Sequence, residues 1–299
     1  MSKPIMLATA DLHLRTTNPA CRIDDYFETQ KKKLIFLKNE YLKLKDINSD
    51  LIYVDAGDLF DSWKATPKVE SLALRGLPDM FCVPGNHEIP YHNISKLENS
   101  SFDVLCAAGK IIAYKGRHAL FDFDLSLFPY GSELTNDKSL RFNVAVYHGM
   151  VWENKPEIPG IEGTNAKDLI ERLDNFDLII TGHNHKTFVV KQGDQTLINV
   201  GSIMRSSIAQ VEHKPCFFII YDDLSFEKIF FPIEKDVFDL RFYEDRKEKD
   251  NRMQVFIDEL DNSDDSYSIN FETNMKSYIN QNKIDAVIES EIYKAMEYS

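Results

Sequence analysis

The chain has 299 residues and a net charge of −13, and its 43% share of hydrophobic residues is ordinary for a globular protein. No apolar run reaches membrane length and no basic residues precede an apolar segment at the N-terminus, so we expect a soluble, unexported, cytoplasmic protein with no membrane partner. The widely spaced cysteines argue against a disulfide framework or thiolate zinc site, and we expect buried thiols in a reducing compartment at Cys21, Cys82, Cys106 and Cys216.

The negative charge is concentrated in the C-terminal part of the chain. Residues 1–221 hold 25 basic and 28 acidic side chains, whereas residues 222–299 hold 10 and 20. The larger N-terminal part is therefore nearly neutral. It carries no strong basic surface for a polyanion, although bound divalent cations could still let it accept a phosphodiester.

A polar motif follows the first predicted strand. The apolar run 4–10 predicts a strand that ends at Asp11-Leu12-His13. In an extended segment the side chains at i and i+2 point the same way, so Asp11 and His13 could converge on one ion. An Asp cap followed by an incidental His is an equally favoured interpretation of this motif taken alone.

The next elements predict a right-handed βαβ unit. Apolar spacing predicts an amphipathic helix over 24–47, and the apolar run 50–56 predicts a second strand. That strand runs into Gly57, which allows a sharp turn, and then Asp58. Because the two strands would be parallel neighbours, we expect Asp58 on the same sheet edge as the first motif.

A tight polar turn follows the third predicted strand. After a short helical stretch over 67–77, the apolar run 80–83 ends at a Pro-Gly break that leads into Asn86, His87 and Glu88. Asn offers an amide oxygen and His a ring nitrogen, so the pair could bind a metal and move a proton. A Gly-Asn bend with a solvated His is the commoner interpretation of such a turn in isolation.

Two further strands end at histidines. The run 142–147 predicts a strand that stops at His148, and the run 176–180 predicts one that leads through Gly182 to His183 and His185. A lone Gly-His-x-His is a weak signal, but it is a strong one after four other polar strand ends. The neighbouring elements are expected over 99–130 (strands of a second sheet), 150–163 (a loop) and 166–173 (a short helix).

The rest of the chain predicts the end of the sheets and a helical appendage. The loop 201–207 could bring Arg205 to an anionic substrate, although a surface Arg is the favoured alternative. Further strands are expected over 187–191, 196–200, 215–221 and 227–231, and helices over 241–260, 272–281 and 283–297. We therefore expect a catalytic domain over residues 1–235 and a small C-terminal helical appendage over residues 236–299.

The polar strand ends share the chemistry of metal ligands. Carboxylate, amide and imidazole donors without thiolates suit Mn²⁺, Fe²⁺ or Zn²⁺, and Mn²⁺ is our first choice. Seven such ligands are too many for one tetrahedral ion and suit two ions that share a carboxylate, an arrangement used in phosphoester cleavage. The seven residues are Asp11, His13, Asp58, Asn86, His148, His183 and His185, and His87 at the same strand ends could move a proton.

The order of these motifs resembles that of the calcineurin-like metallophosphoesterases over residues 5–205. The motifs are Asp11-x-His13, Gly57-Asp58-x-x-Asp61, Gly85-Asn86-His87-Glu88, His148-Gly149 and Gly182-His183-x-His185. The resemblance implies an α/β fold, a two-sheet sandwich flanked by helices. It also implies the ligands, which are Asp11, His13 and His185 for the first metal, Asn86, His148 and His183 for the second, and Asp58 between them.

The same resemblance implies a role for His87 that is not ligation. His87 would steady the transition state or protonate the leaving oxygen, and Asp61 would orient it. A His that is adjacent to a ligand and held by a carboxylate is a natural general acid.

Within that family, the details look like the SbcD-type nuclease subunit of DNA repair complexes. Leu14 and Ser62-Trp63 stand where the protein phosphatases would carry Gly and Arg-Gly, while Glu88 stands where the nuclease branch usually carries Asp. The resemblance implies a Mn²⁺-dependent DNA exonuclease or endonuclease in repair or recombination. An SbcC-type ATPase and a second copy of the chain are the partners that it implies besides DNA.

Two alternative functions stay open. A hydrolase of the same fold that acts on small phosphoesters or nucleotides would cleave bis-p-nitrophenyl phosphate and leave DNA intact. A non-catalytic binding module on this fold predicts degenerated motifs, whereas this chain keeps the whole set together with His87.

Overall fold

Two mixed six-stranded sheets form the core of the described part of the chain. The structure, a computed structural model, describes residues 2–156, 162–233, 235–239 and 241. The chain divides into two compact units, Met1–Asp239 and Leu240–Ser299. The helices predicted in the C-terminal appendage, except for Arg241, lie outside the described residues.

The first sheet combines the N-terminal strands with two strands from the end of the first unit. Its strands are β1 (Pro4–Thr9), β2 (Ile52–Asp55), β3 (Met80–Cys82), β4 (Ile111–Ala113), β13 (Cys216–Tyr221) and β14 (Phe226–Phe230). The order across the sheet is β14-β13-β1-β2-β3-β4. Strands β1 to β4 are parallel, and β13 and β14 continue the sheet in antiparallel pairs.

The second sheet is built from the middle of the chain. Its strands are β5 (Gly116–Ala119), β6 (Phe123–Phe128), β7 (Phe142–His148), β10 (Leu178–Gly182), β11 (Phe188–Gln192) and β12 (Gln195–Asn199). The order is β11-β12-β10-β7-β6-β5, with the four central strands parallel and both edge strands antiparallel. A small parallel pair, β8 (Val151–Trp152) and β9 (Thr164–Asn165), stands apart from it.

Helices cover the outer faces of the two sheets. They are α1 (Tyr26–Ile47), α2 (Pro67–Gly76), α3 (Ser101–Ala107) and α4 (Ala166–Arg172). Side-chain caps fix the starts of three of the four, because Asp25, Ser100 and Asn165 each accept a hydrogen bond from a first-turn main-chain N–H. In the described residues, no helix combines the length and the apolarity that crossing a membrane requires.

Alternating strand residues divide the core into layers. In β1, Met6 and Ala8 pack with residues of the second sheet such as Val146, whereas Leu7 packs with Leu34 of α1. Helix α4 covers the other face of the second sheet. Strands buried on both faces explain the near-continuous apolar runs in the sequence. The predicted fold, a two-sheet α/β sandwich flanked by helices, is confirmed.

Two stretches differ from the sequence prediction. Residues 99–130 were expected as strands of the second sheet, but they also contain α3, and β4 joins the first sheet. Ser100 caps that helix, and Phe102 and Leu105 are buried at helical spacing, a pattern that apolar content alone does not distinguish from a strand. The predicted loop 150–163 contains β8, whose Val151 and Trp152 are buried.

The last described residues of the first unit pair with the chain before α1. Ile23 N–H donates to Val237 O at 3.0 Å and Asp239 N–H donates to Cys21 O at 2.9 Å. Residues 236–239, just beyond the domain boundary predicted after residue 235, therefore pack on the catalytic unit. All four cysteines are free, and Cys106 is half-buried while the other three are buried.

Candidate metal centre

Asp11 and His13 follow β1 in left-handed backbone conformations, with φ of 52° and 44°. Such conformations cost about 1–3 kcal/mol for a residue other than glycine and persist where the surroundings enforce them. Here Asp11 N–H donates to Gly57 O and His13 N–H donates to Asp58 O, both at 2.9 Å. These bonds fasten the loop after β1 to the loop after β2, so the first two motifs face each other.

Glycines allow the loops of the two sheets to close on Asp58. Gly57 turns the chain with φ 98°, and a side chain there would collide with the ring of His148. A side chain at Gly85 would collide with the Asp58 carboxylate. The glycines of the second and third motifs are therefore required by close approach of the ligands and, at Gly57, also by conformation.

Glu88 fastens the second motif to the third. Its buried carboxylate accepts main-chain hydrogen bonds from Phe60 at 2.7 Å, Gly85 at 2.8 Å and Asp58 at 3.1 Å. Burial and the charge of Asp58 raise the pKa of Glu88 to about 8. The hydrogen bonds from the main chain act in the opposite direction, because they stabilise the ionised carboxylate. Glu88 therefore fixes the backbone on both sides of the Asp58 side chain without offering an oxygen of its own to the ligand groups.

The two oxygens of Asp58 have different surroundings. Oδ1 accepts a hydrogen bond from the main-chain N–H of His87 at 3.0 Å. Oδ2 lies 3.4 Å from His148 Nε2 and 3.6 Å from His13 Nε2. Burial raises the pKa of Asp58, but the charges of His148 and His13 outweigh it and hold the pKa well below its ordinary value. Asp58 is thus an ionised carboxylate with one oxygen shared between two imidazoles.

One group of donors comes from the loops after β1 and β10. Asp11, His13 and His185 offer atoms that all lie within 4.8 Å of one another. His13 Nε2 and His185 Nε2 are 3.0 Å apart, and Asp11 accepts hydrogen bonds from His183 N–H at 2.9 and 3.1 Å. The resemblance assigned these three side chains to a first metal, and the structure brings them together.

A second group centres on His148. Asp58, His148 and His183 also offer atoms within 4.8 Å of one another. His148 Nε2 lies 3.2 Å from His183 Nδ1 and 3.3 Å from Asn86 Oδ1, and its other nitrogen, Nδ1, is 2.7 Å from Ala56 O. Because Nδ1–H donates to that carbonyl, Nε2 is the atom that faces Asp58, His183 and Asn86.

Burial keeps most of these imidazoles neutral. It lowers the pKa of His183 and of His185 to about 4 and holds the pKa of His13 well below its ordinary value. Burial also lowers the pKa of His148, but the Asp58 carboxylate outweighs it and raises the value to about 9. Burial raises the pKa of Asp11 to about 8. Neutral imidazoles and carboxylates are the protonation states that bind divalent cations, so Asp11 and His148 would have to give up their protons to act as ligands.

The residues present fit two divalent cations. The two groups contain six carboxylate and imidazole side chains, of which four are buried and two half-buried, and none of the six is a thiol. His13 Nδ1 is buried without a hydrogen-bond partner among the described residues, and its Nε2 is the atom that faces His185 and Asp58. Carboxylate, amide and imidazole donors suit Mn²⁺, Fe²⁺ or Zn²⁺.

The sequence profile of the calcineurin-like phosphoesterases matches residues 6–187, which is more than half of the chain. The chain belongs to the calcineurin-like phosphoesterase family. Members of this family bind divalent metals, in agreement with the two donor groups. No curated protein sequence matches the chain.

Solved structures are similar to this phosphoesterase in fold. The phosphopantetheinyl hydrolase of Mycobacterium tuberculosis is 14% identical, covers 76% of this chain and 96% of its own, and has a TM-score of 0.45. Protein TT1561 of Thermus thermophilus is 10% identical, covers 77% of this chain and 99% of its own, and has a TM-score of 0.44. An archaeal phosphodiesterase is 11% identical, covers 76% of this chain and 99% of its own, and has a TM-score of 0.39. Likeness at this level does not indicate a substrate.

His87 of this calcineurin-like phosphoesterase lies against both the ligands and a carbonyl. The ring centroids of His87 and His13 are 4.7 Å apart, and His87 Nδ1 is 2.8 Å from the main-chain oxygen of Asp61. His13, Asp58 and His87 also form a group of donors within 4.8 Å of one another. The geometry by itself therefore allows His87 to be a ligand, and its role as a proton donor stays a prediction.

Asp61 contacts His87 through a different atom from the one expected. The sequence suggested that the Asp61 carboxylate would hold His87, but the main-chain oxygen does so, and the carboxylate pairs with Arg15 at 3.0 Å. Asp61 Oδ1 is also 4.0 Å from His13 Nδ1. Sequence reasoning missed Arg15, although it is two residues beyond His13 in the spacing already used for Asp11 and His13.

Arg205 has its contacts elsewhere in this phosphoesterase. Its guanidinium donates to Val211 O at 3.0 Å and lies 5.1 Å from the centroid of the Phe238 ring. Neither residue is a candidate metal ligand. The sequence favoured a surface Arg here, but Arg205 is half-buried, and its binding of an anionic substrate stays a prediction.

Tyr130 is a site residue that the sequence did not suggest. Its ring is 5.7 Å from that of His183 and 6.1 Å from that of His148, and its main-chain N–H donates to Pro84 O at 3.0 Å. Tyr130 follows β6, so it lies at the same edge of the second sheet as His148, the last residue of β7. Its position after an apolar strand is the signal in the sequence that could have found it.

Proposed function

We propose that this calcineurin-like phosphoesterase is a two-metal phosphodiesterase of the SbcD type that cleaves DNA in repair or recombination. The observation that carries the proposal is the position of Asp58 Oδ2, which is 3.4 Å from His148 Nε2 and 3.6 Å from His13 Nε2. Asp58 would serve both metals. The other ligands would be Asp11, His13 and His185 for one ion and Asn86, His148 and His183 for the second.

When bound, divalent cations, with Mn²⁺ as the first choice, would neutralise phosphoryl oxygens and make a water molecule more acidic. The chain's own contribution is to hold the donors and to supply a proton. With Nδ1–H donating to Asp61 O, the His87 ring has its Nε2 available to give a proton to the leaving oxygen. The hydrogen bond from the main-chain N–H of His87 to Asp58 Oδ1 fixes the position of His87 next to the shared carboxylate.

A cavity beside the second donor group supports a substrate longer than a simple phosphomonoester. It has a volume of about 700 Å³, and His183 and His185 line it. Lys186, Lys214 and Lys228 also line it, against Glu212 as the one acidic side chain among its described lining residues. A positively charged cavity next to the metal ligands suits the phosphates that flank the scissile bond of a polynucleotide.

The residues after Asp239 are the proposed docking segment for an SbcC-type ATPase, and a homodimer is the proposed assembly. The acidic segment could instead only pack on the catalytic unit. Truncation after Asp239 tests this, because it keeps the pairing of residues 237 and 239 with residues 23 and 21. A docking segment predicts that the truncated protein cleaves short substrates as the full chain does and loses only its response to the ATPase.

The proposed function is tested with purified protein and each divalent ion in turn. The substrates are labelled linear duplex, single-stranded and circular DNA, together with bis-p-nitrophenyl phosphate. Asp58→Ala, purified in parallel, controls for contaminating nucleases. Hydrolysis of the small diester without cleavage of any DNA would identify a small-phosphoester hydrolase. Hydrolysis of neither by metal-loaded protein would indicate a binding module.

A further inference from the structure

Two pairs of aromatic side chains, joined through the neighbouring residues Tyr91 and His92, lie beyond the candidate metal centre. Trp63 and Tyr91 have ring centroids 5.7 Å apart, and His92, next to Tyr91, is 6.5 Å from Tyr130. Tyr130 is in turn 5.7 Å from His183. We call Trp63, Tyr91, His92 and Tyr130 the aromatic rim. None of these four residues lines the cavity that contains the lysines.

The rim is exposed at its centre and held in an unfavourable backbone conformation. Tyr91 is 75% exposed, and Tyr91 and His92 both have left-handed backbones, with φ of 53° and 54°. A short turn keeps them there, since His92 N–H donates to Ile89 O at 3.2 Å and Asn93 N–H to Pro90 O at 3.0 Å. Burial does not explain a large exposed ring on a strained backbone, and strain of this kind clusters at ligand sites.

Cationic side chains accompany the rings. Lys96 Nζ lies 5.2 Å from the centroid of the Tyr91 ring, and the exposed Lys64 follows Trp63 in the chain. Rings for bases with ammonium groups for phosphates are the combination that binds single-stranded nucleic acid. A duplex covers the faces of its bases except at its ends, so unpaired bases fit such a surface better.

The rim is continuous with the residues proposed for catalysis. Trp63 is two residues beyond Asp61, whose main-chain oxygen contacts His87 Nδ1 at 2.8 Å. Tyr91 is four residues beyond His87 in the chain, and the ring of Tyr130 lies beside His183. A strand whose phosphate lies among the metal ligands would therefore have its neighbouring nucleotides within reach of the rim.

We infer that the aromatic rim binds unpaired bases of single-stranded DNA next to the scissile phosphodiester, by stacking on Tyr91 and Trp63. The inference rests on the proposed function, because it takes a polynucleotide as the substrate. It goes further in naming the form of the DNA and the side chains that recognise it. The bases would be held without sequence preference, since every base has a face that can stack.

The test measures binding without hydrolysis, with the full chain in chelator. Labelled oligothymidylate is compared with an abasic strand of the same length, which has the same phosphates and no bases. We expect the oligothymidylate to bind more tightly and to quench the fluorescence of Trp63, while Trp152, only 3% exposed, contributes an unchanged background. Tyr91→Ala should weaken oligothymidylate binding about 5-fold to 150-fold, the range given by stacking of one base, and leave abasic binding unchanged.

Two matched variants control the test. Tyr91→Phe keeps the ring and should keep the affinity. Phe121→Ala removes an 84% exposed ring just before β6, at the opposite end of that strand from Tyr130, and should also have no effect. Thermal melting of each variant checks that it is folded. Equal binding of the two strands by the wild type, or unchanged binding by folded Tyr91→Ala, would overturn the inference.

The outcomes separate this inference from the proposed function. Cleavage of DNA by a protein that binds base-containing and abasic strands equally would leave the nuclease standing and remove the rim's role. Base-dependent binding that Tyr91→Ala abolishes, without cleavage of DNA by any divalent ion, would support the rim and refute the nuclease.

Discussion

The main-chain N–H of His87 donates to Asp58 Oδ1 at 3.0 Å, so one hydrogen bond joins the proposed proton donor to the carboxylate shared by both donor groups. The same bond occupies Oδ1 and leaves Oδ2 facing His13 and His148. Asp58 belongs to the loop after β2, and His87 to the loop after β3. The proposed metal binding and the proposed proton donation would therefore both depend on this one contact between two loops.

Replacing Asp58 should remove metal along with activity. Asp58→Ala takes the shared oxygen from both donor groups, so at least one ion should be lost. The affinity of the remaining site should fall by at least about 10-fold to 100-fold, the usual cost of losing even a hydrogen-bond partner of a ligand. Metal content by atomic emission and calorimetric titration with Mn²⁺ measure both effects. Asp58→Asn is the matched control, because it keeps an oxygen for His87 N–H while removing the charge. Full metal content in Asp58→Ala would contradict the shared role.

Replacing His87 should separate catalysis from metal binding. If His87 donates a proton, His87→Ala keeps both ions and loses about 10²–10⁴-fold in turnover, the usual contribution of a general acid. Metal content measured beside the turnover number decides the question that the donor group of His13, Asp58 and His87 leaves open. Loss of an ion would make His87 a ligand.

The leaving group provides a second measurement on the same variant. A p-nitrophenolate departs without a proton, whereas the sugar oxygen of DNA needs one. His87→Ala should therefore slow hydrolysis of bis-p-nitrophenyl phosphate far less than cleavage of DNA. An equal loss on both substrates would argue for stabilisation of the phosphoryl group instead of proton donation.

Strand direction predicts part of the convergence of the candidate ligands. Parallel strands present their carboxyl ends at one edge of a sheet, so Asp11 and Asp58 meet at an edge of the first sheet, and His148 and His183 meet at an edge of the second. Strand direction does not say that these two edges face each other. The two-sheet sandwich was predicted from the family resemblance. Neither argument predicted α3, where a capping Ser decides between a helix and a strand of similar apolar content.

Contacts made by main-chain atoms could not be predicted from the sequence. The partner of His87 is a main-chain oxygen, which any residue at position 61 would carry, so the identity of Asp61 pointed to the wrong atom. Left-handed backbone conformations at Asp11 and Asp58 also determine which side chains meet. Positive φ angles are uncommon for residues other than glycine, so the sequence does not predict them here. Tyr130 was missed for another reason, since an aromatic residue after a strand is not in the set of metal ligands.

Glu88 should be a structural support for the Asp58 loop. Its carboxylate accepts hydrogen bonds from the main-chain N–H groups of Asp58, Phe60 and Gly85. Glu88→Gln turns one acceptor oxygen into an NH₂ group that faces a donor, and a buried donor left without a partner costs about 1–3 kcal/mol. Urea unfolding above the raised pKa of about 8, where the carboxylate is ionised, measures the loss. Glu98→Gln, on an exposed side chain, should change the free energy of unfolding little, and equal stability of the two variants would contradict this role.

Lys214 should bind phosphate in the cavity beside His183 and His185. Each phosphate contact releases counterions, so Lys214→Ala should lower the slope of log affinity against log salt by about 0.7 for single-stranded DNA and about 0.9 for duplex. Fluorescence anisotropy in chelator over a salt series gives the slope. Lys43→Ala on α1, whose ammonium pairs with Glu40 at 2.6 Å, removes a cation outside the cavity and should leave the slope unchanged. If both variants shift the slope equally, the cavity has no special role and the attraction is spread over the surface; if neither does, DNA does not pass through it.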